Sequence, residues 1–379
     1  MFTKNIMLST ISNINLMRKP INVVSTPDAN ATWMIAGSPV NANVNVSTDY
    51  GTTWNSYNLS VTLVKGIAYG LTSNNTPLWV AAVTFAGGGG VKTSTDSGKT
   101  WSSGTVLTNQ TCDCVAYGKN SSGDNLFMVG GYRINGTDNI IFSSSNGTTW
   151  IGIMDNTILN LVSGIKYGKL GDGTNVWIAV GIYASGGAGL AYSTNGSSWT
   201  QVDPRPSIPN TEVISSITYG IDDAGNKRWV LAANKSPTSS PCIYTLINPT
   251  TTSLNTWTAV TTTLMTGKCF SVTFGRSSSG NVFVAAGGVG SGTGYAIVSF
   301  NGTTSTGYIS LSTNTPYQGS SVGYLNTGDA TTSRFYATQF GKANKMLTSQ
   351  YGSSWSEIDF NYNTTPNTVS GAIVSSIPY

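Results

Sequence analysis

The chain has 379 residues, enough for two or three ordinary domains or for one large repeat assembly. Charged residues make up 9% of it and aromatic residues 10%, which excludes a disordered chain because the aromatic side chains can form an extensive core. The formal net charge of +4, with no run of like charge, argues against a surface that binds nucleic acid or a membrane.

Residues 1–20 are interpreted as an N-terminal extension that precedes the repeats. Residues 1–16 carry an apolar run that Ser, Thr and Asn interrupt, and they lack a small-residue cleavage site, which disfavours a signal peptide. No stretch approaches the roughly 18 apolar residues that a membrane-spanning helix needs. We therefore expect a protein that is made in the cytoplasm, is not inserted into a membrane and has no nucleic-acid partner.

A short polar turn that ends in Trp recurs along the chain. The first four of these Trp residues are 47, 49 and 49 residues apart, the fifth follows after 58, and the last after 98, which is twice 49. A copy without Trp is therefore expected near residue 305. A period of about 48 residues with strand-like content in each repeat is typical of a β-propeller. Seven units fit between residues 21 and 362, and we predict one seven-bladed propeller domain over residues 21–379. The Trp residues are Trp54, Trp101, Trp150, Trp199, Trp257 and Trp355.

Each unit reads as four antiparallel strands, with the first strand innermost. The first strand ends in an aromatic residue followed by Gly, as in residues 66–70, 114–118, 164–168, 216–220 and 271–275. The second strand is the most apolar, as in residues 78–83, 126–129, 176–180, 229–233 and 282–286. No segment has an apolar period of 3.6 residues, so we predict an all-β fold with almost no helix.

The turn between the third and fourth strands is complete at residues 94–101. Its Asp can bind the backbone N–H groups of the loop, its Gly can adopt positive φ, and its Trp can bury a large ring on entering the next strand. Two turns have Asn for Asp and are one residue shorter, residues 348–355 place Gln350 at the Asp position, and units five and six are degenerate. The predicted turn residues are Ser47, Asp49, Gly51, Trp54, Ser94, Asp96, Gly98, Trp101, Asn146, Gly147, Trp150, Asn195, Gly196, Trp199, Gly352 and Trp355.

The sequence has four Cys and no His. Cys112 and Cys114 flank Asp113, whereas Cys242 and Cys269 each stand alone. A metal site would need Cys together with carboxylates, and no second Cys pair has the spacing of a zinc site. We interpret the four as buried free thiols, with no disulfide, metal or other cofactor.

The C-terminal stretch at residues 369–374 resembles a first strand, although unit seven is already complete by Phe360. We predict that it pairs inside unit one, next to residues 33–37, and closes the ring. Such pairing would remove the exposed edge between the first and last blades.

The repeated pattern Ser-x-Asp-x-Gly-x-Thr-Trp resembles the Asp-box, or bacterial neuraminidase repeat, of sialidases, sortilin-type receptors and photosystem assembly propellers. Residues 47–54 and 94–101 match it at every position. The resemblance implies a propeller in which these turns lie between outer strands, away from the active sites of the family.

A sialidase-type glycosidase is the enzymatic alternative. That family requires three Arg around a carboxylate, a Tyr activated by Glu, and an Asp as acid and base. The chain has only two Glu, in no recognisable motif, and Arg228, Arg276 and Arg334 fall on the side of the Trp turns. Arg18 precedes Lys-Pro, which is similar to the Arg-Ile-Pro motif of those enzymes. The absence of His excludes a Ser-His-Asp triad.

The opposite face carries aromatic and basic residues in loops that are otherwise rich in Gly and Ser. Such residues suit recognition of a glycan or a protein, and local packing is the alternative role. We predict a non-enzymatic recognition or structural module that binds a protein or a glycan and is a component of a virion or of another particle or cell surface. The candidate binding residues are Phe85, Tyr132, Arg133, Tyr183, Arg205 and Lys235.

Overall fold

The computed structural model describes most of the chain from residue 33 to residue 375, with gaps at some loops and strand ends. The predicted N-terminal extension, residues 1–20, lies outside the described residues, as does the stretch 369–372 of the predicted closing strand. The described residues are 33–36, 42–49, 51–107, 110–134, 139–208, 211–235, 242–260, 262, 265, 268–277, 280–288, 295–301, 305–311, 319–326, 333–339, 345–359 and 373–375.

The described residues are almost entirely strands and turns. They contain no α-helix, only one turn of 3-10 helix at Thr251–Ser253, and no helix among them could cross a membrane. In chain order the strands are β1 (Trp33–Ala36), β2 (Asn43–Ser47), β3 (Asn55–Asn58), β4 (Leu63–Leu71), β5 (Pro77–Phe85), β6 (Gly88–Ser94), β7 (Thr105–Val106), β8 (Cys114–Lys119), β9 (Asn125–Gly130), β10 (Asn139–Ser144), β11 (Ile151–Asp155), β12 (Leu159–Lys169), β13 (Asn175–Tyr183), β14 (Ala188–Ser193), β15 (Thr200–Val202), β16 (Thr211–Ile221), β17 (Lys227–Lys235), β18 (Ile243–Ile247), β19 (Thr258–Ala259), β20 (Lys268–Ser277), β21 (Gly280–Gly288), β22 (Tyr295–Phe300), β23 (Ser305–Leu311), β24 (Gly319–Leu325), β25 (Arg334–Gln339), β26 (Lys345–Ser349), β27 (Ser356–Asp359) and β28 (Ile373–Ser375).

Consecutive strands form antiparallel sheets of four. Four sheets follow the chain, β4 to β7, β8 to β11, β12 to β15 and β24 to β27, and a fifth has the order β28-β1-β2-β3. The groups β16 to β19 and β20 to β23 join into one eight-stranded sheet through the pairing of Asn234 with Lys268. The C-terminal strand β28 pairs antiparallel with β1, with Ile373 opposite Ile35 and Ser375 opposite Trp33.

The first strand of each group packs against the first strand of the next. Strand β4 contacts β8, β8 contacts β12, and the series continues through β16 and β20 to β24. Strand β28 contacts both β24 and β4. The first strands therefore stand side by side, and each sheet extends outward from them.

An aromatic pair and a glycine lock neighbouring sheets together. In six units the aromatic residue of the first strand meets an aromatic ring of the second strand at 4.8–5.0 Å between centroids, as Tyr167 meets Trp177. In five of these units a Gly follows the aromatic residue, and it lies against the corresponding aromatic ring of the next unit. A Cβ on Gly168 would lie 2.5 Å from the Tyr219 ring, and one on Gly70 would lie 2.1 Å from the Tyr117 ring. The aromatic–Gly pattern thus sets the distance between sheets.

The turns at 47–54 and 94–101 share one hydrogen-bond network. The Ser94 hydroxyl donates to Asp96 at 2.8 Å and accepts the Gly98 N–H at 2.9 Å, and Gly98 adopts a φ of 79°. Asp96 accepts the Thr100 N–H at 2.9 Å, and Trp101 Nε1 donates to the Gly98 carbonyl at 3.0 Å. Burial alone would raise the pKa of Asp96, but the hydrogen bonds from Thr100 and Ser94 outweigh it and lower that pKa. The equivalent atoms of 47–54 make the same bonds.

The turn of unit seven has a different register from the predicted one. The Gly352 N–H donates to Ser349 Oγ at 2.8 Å, and Ser349 pairs with Phe335 as Ser94 pairs with Trp79. This is the shorter form seen in units three and four, where the residue directly before Gly is Asn. The prediction that Gln350 holds the Asp position is therefore wrong, because Tyr351 occupies it.

Unit five replaces the turn with the 3-10 helix. Trp257 Nε1 donates to the carbonyl of Leu254, which follows that helix, at 2.8 Å. The Trp257 side chain is buried, whereas Trp150 and Trp199 after the shorter turns are half-buried. The helical turn accounts for the longer spacing before Trp257.

Candidate binding face

The face opposite the Trp turns is described mainly in units two to four. It comprises the hairpins between second and third strands and the connections that lead into the next unit. Lys235 ends β17 opposite Thr211, and its side chain lies outside the described part. The other five candidate residues belong to units two to four, and we call them the recognition strip: Phe85, Tyr132, Arg133, Tyr183 and Arg205.

Backbone pairing links the recognition strip across three units. Phe85 pairs with Gly88 at the tip of its hairpin, and the N–H of Gly89 donates to the carbonyl of Gln110 at 2.7 Å. Gln110 forms an isolated antiparallel β-bridge with Arg133, and Tyr132 forms one with Leu161 in the next unit. Two residues before Leu161, Leu159 pairs with Tyr183. Backbone pairing thus connects Phe85, Arg133, Tyr132 and Tyr183 from one unit to the next.

Tyr132 is the most exposed aromatic residue of the recognition strip, at 43% of its surface. Its backbone is held on both sides by Thr111. The Thr111 N–H donates to the Tyr132 carbonyl at 2.7 Å, and the Tyr132 N–H donates to Thr111 Oγ1 at 2.8 Å. The neighbouring Ile134 is 48% exposed. The pair therefore forms an apolar surface on a fixed backbone.

Arg205 is held in one orientation by two contacts. Its Nε and Nη2 donate to the two carboxylate oxygens of Asp203 at 2.8 Å and 2.9 Å. Its guanidinium lies 5.3 Å from the centroid of the Tyr183 ring. The hydrogen bonds from Arg205 lower the pKa of Asp203, and Asp203 raises the pKa of Arg205. About half of the arginine side chain stays exposed, so its remaining donors can reach a ligand.

Two members of the recognition strip have supporting roles. Tyr183 is only 1% exposed, its hydroxyl donates to the Val202 carbonyl, and burial raises its pKa to about 12. Phe85 is half-buried, and its ring fills the space beside Gly90 and Gly104. A ligand would therefore meet Arg205 and not the Tyr183 ring beneath it.

Gln110 is a polar residue of this face that the sequence analysis missed. Its side chain is fully buried next to the hairpins, and its Oε1 has no hydrogen-bond partner among the described residues. Its Nε2 lies 3.7 Å from Cys112 Sγ. No local pattern distinguishes Gln110, because its burial depends on a hairpin from another unit.

Neither a family model nor a curated protein sequence matches this chain. Solved structures do. The BP39L lectin from Burkholderia pseudomallei has a TM-score of 0.61 and 11% identity, covering 88% of this chain and 96% of that one. An ancestral GH74 enzyme has a TM-score of 0.57 and 15% identity, covering 90% of this chain and 47% of that one, so this chain spans about half of its length. The Hadza microbial sialidase Hz136 has a TM-score of 0.45 and 12% identity, covering 85% and 74%.

The fold is a β-propeller. Its sheets are the blades, and its first strands are the inner strands that stand side by side. Both a lectin and a glycoside hydrolase share this architecture, so the fold alone does not decide the function.

Two features of the propeller bear on the enzymatic alternative. Arg228 is buried and donates from Nη2 to Asp222 at 2.8 Å, so this arginine is committed to a structural ion pair. Arg276 is exposed near the end of β20, on the side of the Trp turns. In the described part of the chain, no three Cys, Asp or Glu side chains come together as a metal site would require.

The four thiols are free. Burial raises the pKa of Cys112 to about 12 and also raises the pKa of Cys269. Cys242 and Cys269 come from different repeats and lie together in the core between blades five and six. Three of the four thiols are buried, and Cys114 is half-buried.

Proposed function

We propose that this chain is a non-enzymatic recognition module built as a single propeller domain over residues 21–379. The proposed ring has seven four-stranded blades and is closed by β28. The contacts of β28 with β24 and β4, together with its pairing to β1, support closure. The turn hydrogen bonds support placing the repeats in the Asp-box group.

The recognition strip is the proposed binding site, and a glycan is the ligand that its geometry favours. The single observation that carries this is the fork of Arg205, which Asp203 and the Tyr183 ring hold in one orientation. Tyr183 is connected through the pairing of β12 to the exposed Tyr132. An aromatic face can stack on a sugar ring, while oriented polar groups bind its hydroxyls. Because both groups are held before binding, little conformational entropy is lost on complex formation.

Six aspartates of the described chain lack the raised pKa that a glycosidase general acid needs. A glycosidase general acid needs a raised pKa so that it carries a proton near neutral pH. The six described aspartates that have a shifted pKa all have it lowered: Asp49, Asp96, Asp155, Asp172, Asp203 and Asp222.

The low charge and the surface rich in Asn, Thr, Ser and Gly further support exposure on a virion or other particle. Detection of the chain on intact purified particles by a surface-labelling reagent tests this part of the proposal. Labelling only after particle disruption would contradict it.

A glycan array tests the binding function. Wild-type protein and Tyr132→Ala are compared with Tyr351→Ala, a control whose ring is 41% exposed in the turn of unit seven on the opposite side. We expect binding that Tyr132→Ala loses and Tyr351→Ala keeps. Hydrolysis of fluorogenic sialosides or other glycosides by the pure protein would instead establish the enzymatic alternative.

A further inference from the structure

A β-bulge recurs near the start of the inner strands. In β4, β12, β16, β20 and β24 the pairing with the second strand shifts there, which leaves one extra residue four positions before the aromatic residue. In unit three the Asp113 N–H donates to the Gly130 carbonyl at 2.8 Å, and Cys114 pairs with that same Gly. Bulges re-aim a side chain and are frequent beside functional sites. The residues at this position are Lys65, Asp113, Ser163, Ser215, Phe270 and Ser320.

Units two and three carry opposite charges at the bulge position, and we call Lys65 and Asp113 the bulge pair. Lys65 Nζ lies 3.7 Å from Asp113 Oδ1, and the two side chains are 42% and 24% exposed. This distance is too long for a hydrogen bond, so the two groups attract each other by charge alone. In unit four, by contrast, Ser163 donates to the carbonyl of Ile214 in the next unit. The bulge pair therefore keeps hydrogen-bonding groups that a ligand can reach.

The carboxylate of Asp113 is held next to the backbone of Tyr132. Thr111 Oγ1 donates to Asp113 Oδ2 at 2.5 Å and accepts the Tyr132 N–H at 2.8 Å, so one hydroxyl contacts both residues. The Thr111 backbone also lies directly against Gly131, where a Cβ would be 2.1 Å from the Thr111 carbonyl oxygen. The carboxylate is thus oriented before a ligand arrives, beside the most exposed aromatic residue of the recognition strip.

We propose that the bulge pair binds two neighbouring hydroxyl groups of a neutral sugar whose ring stacks on Tyr132. The proposal rests on the proposed function, because it assigns a class of sugar to the recognition strip. An ammonium group donates hydrogen bonds, a carboxylate accepts them, and a sugar hydroxyl does both. Hydrogen bonds to charged groups are roughly twice as strong as those between neutral groups.

The charges of the bulge pair favour a neutral sugar over an acidic one. Lys65 and Asp113 have opposite charges, so the pair has no net charge. An acidic sugar that approaches Lys65 also meets the carboxylate of Asp113, which lies 3.7 Å from the ammonium group and repels it. A neutral sugar meets no such repulsion and can bond to both groups.

Titration calorimetry with simple glycosides tests the sugar class. The methyl glycosides of glucose, galactose, mannose, fucose and xylose are the neutral probes, and the methyl glycoside of sialic acid is the acidic probe. We expect the wild type to bind at least one neutral probe about tenfold or more tightly than the acidic probe. The affinity for the neutral probe should be the same in low and high salt, because no net charge is paired. Tighter binding of the acidic probe would overturn the proposal.

Variants test the contribution of each charge. Asp113→Ala and Lys65→Met should each lower the affinity for the neutral probe about tenfold or more. Both should melt close to the wild type, because the ion pair is partly exposed and Thr111 Oγ1 also lies 3.3 Å from the Tyr132 carbonyl oxygen. Lys99→Met, which changes an exposed lysine in a Trp turn, is the control and should bind as the wild type does. Wild-type affinity in Asp113→Ala and Lys65→Met would overturn the proposal.

Deoxy sugars separate direct contact from a structural role. Each monodeoxy derivative of the bound probe lacks one hydroxyl, and we expect two adjacent deoxy positions to weaken binding to the wild type. One of them should cost no further affinity in Asp113→Ala, and the other none in Lys65→Met, because the protein partner of that hydroxyl is already missing. Equal losses from every deoxy sugar in the wild type and the variants would mean that the bulge pair acts only through the fold, and would overturn the proposal.

Tyr132→Ala distinguishes this proposal from the proposed function. If Tyr132→Ala loses glycan binding while Asp113→Ala and Lys65→Met keep it, the recognition strip binds a glycan and the proposal for the bulge pair fails alone. If the wild type binds neither the glycan array nor any of the glycosides, both proposals fail.

Discussion

The guanidinium of Arg205 lies 5.3 Å above the ring of Tyr183, a buried residue at the end of β13. Together with the two hydrogen bonds to Asp203, this contact fixes a surface cation that would otherwise sample many rotamers. Planarity matters here, since a guanidinium can stack on a ring and bind a carboxylate with two bonds, whereas an ammonium cannot.

Replacing Arg205 by Lys should therefore impair ligand binding almost as much as replacing it by Ala. We expect affinity for the ligand found on the array to fall by about tenfold or more in both variants, as for loss of a buried charged contact in a complex. The unfolding midpoint should stay close to the wild-type value because the ion pair is exposed. Titration calorimetry measures the ligand affinity, and Arg276→Ala, on the side of the Trp turns, is the control. A Lys variant that binds as tightly as the wild type would contradict the role of the planar guanidinium.

Gly168→Ala should destabilise the protein by about 1–3 kcal/mol, the range for an overpacked core. The added methyl group would lie 2.5 Å from Tyr219 and 2.7 Å from Trp229, so the two blades must move apart. Urea unfolding measures the change. Gly87→Ala is the control, because a Cβ there meets no atom within 4 Å. Equal stability of the two variants would show that the aromatic–Gly contact does not set blade spacing.

Arg228→Met should cost about 3–5 kcal/mol, because it leaves the buried carboxylate of Asp222 without its cation. Replacing both residues, with Asp222→Leu added, should cost less than the single change. Measurements of unfolding free energy on the two variants test this, and a double variant less stable than Arg228→Met would contradict it.

The same ion pair predicts that the protein loses stability at acid pH. Burial works to raise the pKa of Asp222, but the hydrogen bonds from Arg228 and Asn226 prevail, and the folded pKa lies below the ordinary value of 3.8. The contribution of Asp222 is thus fully present above pH 3.8 and is lost as the pH falls through the lower folded pKa. In Arg228→Met, the free energy of unfolding should fall less between pH 4 and pH 2 than in the wild type. Unfolding is measured at each pH, over a range that extends ~2 pH units below the unfolded pKa and so includes the titration of Asp222. An equal loss of stability in the variant and in the wild type would mean that Asp222 does not contribute to the loss at acid pH.

Truncation after Asn367 removes β28 and should lower the Tm or cause aggregation. The loss breaks the pairing with Trp33, Met34 and Ile35 and exposes the edge of β1, where unpaired backbone groups can bind another chain. Differential scanning calorimetry and light scattering measure both outcomes. A truncated protein that stays monomeric and melts with the full-length one would show that β28 is not needed to complete the ring.

Local, repeated patterns predicted most of the architecture. The aromatic–Gly strands of units two to six and the Trp turns of units one to four fall where the spacing placed them, because both depend on residues close in sequence. The register of the turn at Ser349 was missed, since Thr348 and Ser349 can both open such a turn and only strand pairing shows that Ser349 faces Phe335. At the candidate site, the exposure of Tyr132 followed from its loop position.

Features that depend on contacts between repeats were not predictable. The burial of Tyr183 arises from Val202 in the returning strand, and the contact of Cys242 with Cys269 joins two blades.

The central claim is that the recognition strip binds a ligand without turning it over. The most direct measurement is binding of the same array glycans to wild-type protein and to Tyr132→Ala, read in parallel with release of sugar from each glycan. The account predicts retained, unhydrolysed glycan on the wild type and loss of that signal in Tyr132→Ala, whose ring is 43% exposed in the native protein. Equal binding by both proteins, or release of sugar by the wild type, would contradict it.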